Sequence, residues 1–200
     1  MFAGKPAKPA AFPVVSNATP QDVEGILHII NKVSTDVYDV PRTERWWGLV
    51  RQQLHGIIAE NNPLRRAAVL KDATGNIVGG FIIDNQVTVL ADKNGHALRL
   101  VHPDYRPKPG EKILLPGSHH VLYLQAAFID EAYRRQGTAQ KLLKDAMTGF
   151  RQQGVTTLLS NARPMSKTLL EKYGFQTVSG PQITEGEKPE YATHWMRLDF

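Results

Sequence analysis

The residues of this chain best suited to chemistry lie in one turn, Ala132-Tyr133-Arg134-Arg135-Gln136-Gly137-Thr138-Ala139. An apolar strand, Val121 to Ile129, precedes the turn, and a helix whose apolar residues are spaced three and four apart follows it. The N-terminus of a helix presents backbone N–H donors, and Gly137 allows a phosphate to come close to the backbone. The two arginines add positive charge. The turn therefore predicts a binding site for a pyrophosphate.

Further landmarks follow the turn in a fixed order. Gln153-Gly154 is typical of a helix C-terminus, and Val155 to Ser160 is a short apolar strand rich in β-branched residues. Asn161 comes next, and a second helix is predicted from about Pro164 to Lys172, with proline near its first turn. Tyr173-Gly174-Phe175 ends that helix and begins another strand.

Together with Arg134-x-x-Gly137-x-Ala139, this order resembles the GCN5-related N-acetyltransferases (GNATs). The resemblance covers about Thr19 to Phe200 in general layout, and its specific motifs lie between Tyr123 and Val178. It implies an α/β fold, a single domain with a central twisted mixed β-sheet flanked by helices, of the acyl-CoA N-acyltransferase type. It also implies that acetyl-CoA is a co-substrate, whose acetyl group passes to a primary amine.

The resemblance assigns residues to this cofactor. In the family, the strand before the turn separates from its neighbour, and its free backbone groups hold the pantetheine arm, while the turn wraps the pyrophosphate. Carried onto this sequence, the cofactor-binding residues are Ala127, Phe128, Ile129, Arg134, Arg135, Gln136, Gly137, Thr138, Ala139 and Asn161. The alternative is that the two arginines form a solvated helix start on a protein that binds no nucleotide. The downstream landmarks favour the cofactor site.

Acetyl transfer to an alkylammonium, whose pKa is about 10, needs a base or a chain of waters to remove a proton. The candidates on or near the central strand are Tyr123, Gln125, His119, His120, Asp130 and Glu131. Gln125 shares a strand face with Tyr123 and could position a water, although glutamine is not a base. For the two histidines, a solvated loop and a catalytic role are equally good interpretations.

The chain departs from the family where the leaving thiolate is protonated. Many members carry a tyrosine four residues before the glycine of the Gly-Phe landmark, and here that position is Leu170. The nearest substitutes are Ser166 and Tyr173, although Tyr173 lies about 300° further around the helix. A thiol with a pKa of about 8.5 can leave without full protonation. The catalytic candidates are therefore Tyr123, Gln125, Ser166 and Tyr173.

Composition limits the class of protein. The 200 residues are 42% hydrophobic, which suits one globular domain, and no apolar run is long enough for a membrane span. The absence of cysteine excludes disulfides and thiolate metal sites, and fits a cytoplasmic location. The scattered histidines have no metal-ligand spacing, so no metal site is expected. The formal charge of +5 suits an anionic cofactor.

Along the chain, residues 1–12 form a basic Ala/Pro arm that is expected to be flexible unless a protein partner holds it. The GNAT-like domain is predicted over residues 13–200, with a long insertion at about 85–118. The insertion holds a predicted hairpin, 87–90 with 97–101, and a Pro/Lys-rich loop at 103–117. The other predicted elements are strands at 12–15, 67–70, 77–83 and 193–200 and helices that begin at Thr19 and at Thr43.

The acceptor amine is left open by the sequence. It could belong to a small molecule, to a protein or to an aminoacylated nucleic acid. A nucleic acid could be bound by a basic segment that contains Arg99, His102, Tyr105, Arg106, Lys108 and Lys112. Its charges could contact phosphates and its tyrosine could stack on a base, but an ordinary solvated loop explains the composition more simply. Trp46 and Trp47 could line a substrate pocket, although two tryptophans on an amphipathic helix more often lie in the core and at its rim.

The competing hypothesis is a GNAT-fold protein without acetyl transfer that acts as an interaction or assembly component.

Overall fold

A computed structural model of the chain describes residues 13–38, 43–85, 88–91, 97–101, 106–115, 120–183 and 188–200. The α-helices are α1 Val23–Tyr38, α2 Glu44–Glu60, α3 Thr138–Gln152 and α4 Pro164–Glu171. The strands are β1 Val14–Asn17, β2 Arg66–Lys71, β3 Ile77–Asp84, β4 Thr88–Ala91, β5 Ala97–Val101, β6 Lys112–Leu115, β7 Val121–Ile129, β8 Thr157–Ala162, β9 Gln176–Gln182 and β10 Thr193–Asp199. The predicted N-terminal arm lies outside the described residues.

One mixed sheet of seven strands, flanked by the four helices, confirms the predicted α/β class. Its strand order is β1-β2-β3-β7-β8-β10-β9. The β7–β8 pair is parallel, whereas β10 is antiparallel to both β8 and β9. A separate sheet has the order β5-β4-β6.

The chain divides into two compact units. The first comprises Met1–Ala59, Ala67–Phe81 and Ala127–Asp145, and the second comprises Glu60–Arg66, Ile82–Ala126 and Ala146–Phe200. In the first unit the buried side chains include Val23, Ile26, Leu54, Ile57, Val69 and Phe128. In the second they include Leu122, Phe150, Leu158, Leu170, Trp195 and Met196. The predicted domain boundary and the insertion at 85–118 stay predictions.

A capping box between Thr19 and Asp22 precedes α1. The backbone N–H of Thr19 and its hydroxyl each donate to the Asp22 carboxylate, at 2.8 Å. Pro20 opens a short 3₁₀ turn that leads into α1 at Val23. Lys71 Nζ lies 2.7 Å from Asp22 Oδ1, and the Asp22 residue is only 7% exposed. The carboxylate is thus hydrogen-bonded and paired where water is largely excluded.

We expect Asp22→Asn to destabilise the protein in a pH-dependent way. Burial by itself raises the pKa of Asp22, but the hydrogen bonds from Lys71 and Thr19 outweigh it and hold that pKa below 3.8. The carboxylate therefore contributes its full stabilisation above that pH, and loses it as the pH falls through the lower folded-state pKa. At pH 7 the variant should lose about 1–3 kcal/mol in the free energy of unfolding. Urea unfolding at pH 7 and pH 3 checks this, and an equal loss at both pH values would contradict it.

Two glycines bring β3 close to its neighbours in the first unit. A Cβ atom on Gly80 would lie 2.2 Å from the Ala68 carbonyl oxygen, and one on Gly79 would lie 2.7 Å from the Phe128 carbonyl oxygen. The Asp130 backbone N–H also donates to the Val78 carbonyl, at 2.8 Å. The last residues of β7 are therefore held against β3 by backbone contacts that leave no room for a side chain.

Both helices that follow the turn end in Schellman motifs, which satisfy their last carbonyl groups. Gly154 has a φ of +77°, and the N–H of Val155 donates to the Phe150 carbonyl. Gly174 has a φ of +88°, and the N–H of Phe175 donates to the Leu170 carbonyl. The predicted C-terminal glycine of the first helix is confirmed.

The predicted loop at 103–117 is wrong between Lys112 and Leu115, which form β6. This strand pairs with β4, and β4 pairs with β5 in the predicted hairpin. Nearby prolines and Gly110 favour a loop locally, whereas pairing with a strand more than twenty residues earlier makes the segment a strand. In the described part of the chain, no helix has the length and apolar character to span a membrane.

Candidate functional site

The turn after β7 is braced by its own side chains. Asp130 Oδ1 accepts a hydrogen bond from the Ala132 N–H at 2.9 Å, and this begins a 3₁₀ turn at Glu131–Tyr133. Arg134 Nε donates to the Ile129 carbonyl at 2.9 Å. The Arg134 side chain therefore fastens the turn to the end of β7.

The backbone beyond Arg134 has the form of an anion-binding concavity. Arg135 has a φ of +59° and Gly137 a φ of +80°, with Gln136 between them. Alternation of positive and negative φ values is the backbone pattern found in phosphate-binding nests. The Gln136 side chain donates to the Ala132 carbonyl at 2.6 Å, which fixes this shape.

Helix α3 begins directly at this concavity. Its first residue is Thr138, and the first i+4 hydrogen bond runs from the Lys141 N–H to the Gly137 carbonyl at 2.9 Å. The N–H groups of the first turn have no partner within a helix, and the helix dipole places positive charge there. The first turn of α3 contains no acidic residue to offset that charge. The exposed Arg135 adds to it.

The carboxylate of Asp130, at the end of β7, is paired with a lysine. Lys32 Nζ of α1 donates to Asp130 Oδ2 at 2.8 Å. Burial raises the pKa of Asp130, but the bonds from Lys32 and from the Ala132 N–H outweigh it and hold that pKa below its usual value. Asp130 is thus an ionised, paired carboxylate, which suits it poorly to accept a proton from an amine.

The parallel ladder between β7 and β8 is short. It runs from the pair Val121–Thr157 to the pair Leu124–Ser160, and β7 continues beyond it to Ile129. β8 stays paired with β10 as far as Ala162 and His194. Asn161, predicted to follow the strand, lies inside β8, because β10 extends the pairing to Ala162.

Asn161 carries a buried polar atom. Its Oδ1 has no hydrogen-bond partner among the described residues. Buried side-chain oxygens are nearly always hydrogen-bonded in folded proteins, so the atom is available to a ligand or a water.

Of the catalytic candidates, Tyr123 is the most deeply buried. It is 7% exposed, and its ring centroid lies 5.9 Å from that of Trp195. Burial raises the pKa of its hydroxyl. The phenol is therefore protonated at neutral pH and cannot serve as a base. Gln125 lies two residues further along β7 and is half-buried.

Helix α4 places the other two candidates differently. Ser166 is half-buried in its first turn, and Tyr173 is half-buried in the turn that follows its last residue. Leu170 is 4% exposed, and its carbonyl accepts from the N–H groups of both Tyr173 and Phe175. The family's tyrosine position is thus a core position in this chain.

His120 has a structural partner, while His119 lies outside the described residues. Nδ1 of His120 is 3.0 Å from the Gly154 carbonyl oxygen, which fits an N–H donor at that atom. The His120 carbonyl accepts from the N–H groups of Thr156 and Thr157. Glu131 is exposed in the 3₁₀ turn. With the proton on Nδ1, Nε2 of His120 is the acceptor nitrogen of the ring.

Sequence reasoning did not single out His194, whose Nδ1 is buried and has no hydrogen-bond partner among the described residues. The sequence grouped it with the scattered histidines. Its place in the last predicted strand, close to Gly180-Pro181 and Asn161 once the strands pair, was the available signal.

The family model described as the acetyltransferase (GNAT) domain matches residues 114–188, a segment that includes the turn, α3, β8 and α4. This segment of the chain is therefore similar to the acetyltransferase (GNAT) domain. No curated protein matches it.

Solved structures share the GNAT fold over nearly the whole chain. One is a ribosomal-protein-alanine N-acetyltransferase from Brucella melitensis, with a TM-score of 0.60, 16% identity, and 94% of this chain and 99% of that one covered. Another is the PaiA N-acetyltransferase from Thermoplasma acidophilum in complex with coenzyme A. Its TM-score is 0.60 at 12% identity, and the match covers 94% of this chain and 98% of that one. A third is YncA from Salmonella typhimurium, a putative acetyltransferase with its cofactor acetyl-CoA. Its TM-score is 0.58 at 13% identity, and the match covers 95% of this chain and 94% of that one. At these identities the likeness shows the fold.

Proposed function

We propose that this protein is an acetyl-CoA-dependent N-acetyltransferase that acts on a primary amine. The observation that carries the proposal is the turn between β7 and α3, where a positive φ at Arg135 and Gly137 and the open N-terminus of α3 form an anion site. Two solved proteins with the same fold bind coenzyme A and acetyl-CoA, respectively. The cofactor proposal thus rests on local geometry and on the family together.

In this proposal the residues of the turn have separate roles. Backbone N–H groups from Arg135 to Ala139 hold the pyrophosphate, and the exposed guanidinium of Arg135 adds charge. Arg134 keeps the turn in shape through its bond to Ile129. The backbone of Ala127, Phe128 and Ile129 holds the pantetheine arm, and Oδ1 of Asn161 accepts a hydrogen bond from the cofactor.

The transfer itself is direct attack by the amine within a ternary complex. The C–N bond forms at the acetyl carbonyl carbon as the C–S bond breaks, and the electron pair of that bond leaves on sulfur. Ser166 and Tyr173 are the proposed proton donors to the thiolate, and Gln125 the residue that positions a water. Tyr123 is better assigned to supporting the core through Trp195.

We propose only the chemical class of the acceptor, a primary amine. We also propose that the enzyme works in the cytoplasm. A panel of amines with acetyl-CoA tests the activity, with thiol release and product mass as readouts. The panel contains a polyamine, a free amino acid, a peptide with a free N-terminus, a lysine peptide with a blocked N-terminus and an aminoacylated RNA. At least one amine should raise thiol release about tenfold or more above acetyl-CoA hydrolysis.

Gly137→Glu serves as the matched inactive control, because it places a carboxylate at the proposed pyrophosphate site. Silence across the whole panel, with coenzyme A still bound, would overturn the enzymatic proposal. It would favour the interaction or assembly role, and co-purification with and without residues 1–11 would then look for the partner of the N-terminal arm.

A further inference from the structure

The carboxylate of Asp130 begins a series of hydrogen bonds that runs into the turn after β7. Its Oδ1 accepts from the Ala132 N–H at 2.9 Å, and the Ala132 carbonyl accepts from the Gln136 side chain at 2.6 Å. Gln136 lies between Arg135 and Gly137, the two residues with positive φ. Hydrogen bonds therefore connect the Asp130 carboxylate to the residues that are proposed to hold the pyrophosphate.

A lysine from α1 binds the second oxygen of this carboxylate. Lys32 Nζ donates to Asp130 Oδ2 at 2.8 Å, so the two carboxylate oxygens have different partners. The Asp130 side chain is 16% exposed and that of Lys32 is 39% exposed. A hydrogen bond between two charged groups is stronger than one between neutral groups, and partial burial reduces its screening by salt. The bond to Lys32 restricts rotation of the carboxylate and keeps Oδ1 directed at the Ala132 N–H.

The backbone of Asp130 is anchored to the sheet as well. Its N–H donates to the Val78 carbonyl of β3 at 2.8 Å, while its side chain reaches α1 at a residue 98 positions earlier in the chain. Lys32, Val78, Asp130 and the turn all belong to the first compact unit. Asp130 is thus the residue at which α1, β3 and the turn are joined by hydrogen bonds.

We propose that Lys32 and Asp130 are positioning residues for coenzyme A, whose ion pair holds the turn at Arg134 to Ala139 in the shape that binds the pyrophosphate; this rests on the proposed function. Neither side chain contacts the cofactor, which is bound by the backbone N–H groups of the turn. Without the ion pair the turn spends less time in the binding shape, and the affinity for coenzyme A falls by the same fraction.

Two single variants distinguish positioning from a simple charge effect. Lys32→Met removes a positive charge, whereas Asp130→Asn removes a negative charge and keeps an oxygen for the Ala132 N–H. If only the local potential mattered, the first variant would bind the anionic cofactor more weakly and the second more tightly. We expect both to bind coenzyme A about fivefold or more weakly, as measured by calorimetry. An Asp130→Asn variant that binds as well as the wild type, or better, would overturn the proposal.

The double variant, Lys32→Met with Asp130→Asn, tests whether the two residues act through one contact. Each single change already breaks the ion pair, so the double variant should bind coenzyme A within about twofold of the weaker single variant. Losses of affinity that multiply in full would show independent effects and would overturn the proposal.

Lys71→Met is the matched control for Lys32→Met. Lys71 Nζ lies 2.7 Å from Asp22 Oδ1, with side chains 32% and 9% exposed, so this pair has nearly the distance and burial of the pair Lys32–Asp130. Asp22 also lies at a 3₁₀ turn before a helix, but that helix is α1. Both lysine variants should lose similar stability in urea, whereas Lys71→Met should keep its coenzyme A affinity within about twofold. An equal loss of affinity in the two variants would overturn the proposal.

The backbone amide NMR signals of the ligand-free protein show the shape of the turn directly. Lys32→Met should shift the signals of Ala132 to Gly137, and Lys71→Met should leave them in place. Unmoved signals in Lys32→Met would overturn the proposal. If the wild type itself does not bind coenzyme A at millimolar concentration, the proposed function fails. If the wild type binds it and all the variants bind it equally well, this inference alone fails.

Discussion

Replacing Gly137 with glutamate is expected to weaken coenzyme A binding about 100-fold or more, equivalent to about 2.7 kcal/mol. Gly137 has a φ of +80°, and a Cβ atom there would meet only Gln140 Oε1, at 3.9 Å. The substitution is therefore allowed by space, but it strains the backbone by about 1–2 kcal/mol. It also places a carboxylate where backbone N–H groups converge. Calorimetry with coenzyme A measures the effect.

Two matched variants separate charge from strain. Gly75→Glu carries the same charge and the same type of strain, since Gly75 has a φ of +86° with nothing within 4 Å, but it lies in the turn between β2 and β3. It should lose stability and keep coenzyme A affinity. Gly137→Ala should lose less affinity than Gly137→Glu. Equal affinity in Gly137→Glu and the wild type would contradict the assignment of the turn.

Gly80→Ala is expected to cause the largest loss of stability, about 3 kcal/mol or more in the free energy of unfolding. The new Cβ would lie 2.2 Å from the Ala68 carbonyl oxygen and 2.9 Å from Phe128 Cζ. The carbonyl belongs to the backbone of β2, so it cannot move aside without breaking strand pairing. The proposed cofactor strand would move as well, because Phe128 lies on β7.

The matched control for Gly80→Ala is Gly56→Ala. Gly56 is exposed in the middle of α2, with nothing within 4 Å of an added Cβ. Alanine there should stabilise the protein by about 0.5–1 kcal/mol, because it is the better helix former. Urea unfolding of both variants gives the comparison. Similar stability in Gly80→Ala and the wild type would show that β2 and β3 do not approach as described.

The sequence predicted the elements whose signals are local. The bounds of β7, Val121–Ile129, agree with the prediction, since a long apolar run ends at charged residues. The end of α3 was predicted from Gly154, which has the positive φ that a Schellman motif requires. The turn at Arg134 to Ala139 was predicted as an anion site because its glycine leaves the backbone accessible and its arginines carry positive charge.

Features set by distant parts of the chain were not predictable in this way. Tyr123 is buried because Trp195, far along the sequence, packs beside it. Arg134 turns inward to the Ile129 carbonyl, a choice of side-chain direction that the motif does not encode. His194 becomes a neighbour of Ala162 and Gly180 only when β8, β9 and β10 pair. Catalytic candidates were therefore harder to predict than the cofactor turn.

The central claim, that the turn before α3 binds the pyrophosphate of coenzyme A, is tested most directly by NMR titration of the wild-type backbone amides. Coenzyme A should cause its largest amide shifts at Arg135 to Ala139, with smaller shifts at Ala127 to Ile129 where the pantetheine arm is placed. Inorganic pyrophosphate alone should move the first group and leave the second in place. Amide shifts confined to other parts of the chain, or none at millimolar coenzyme A, would contradict the claim.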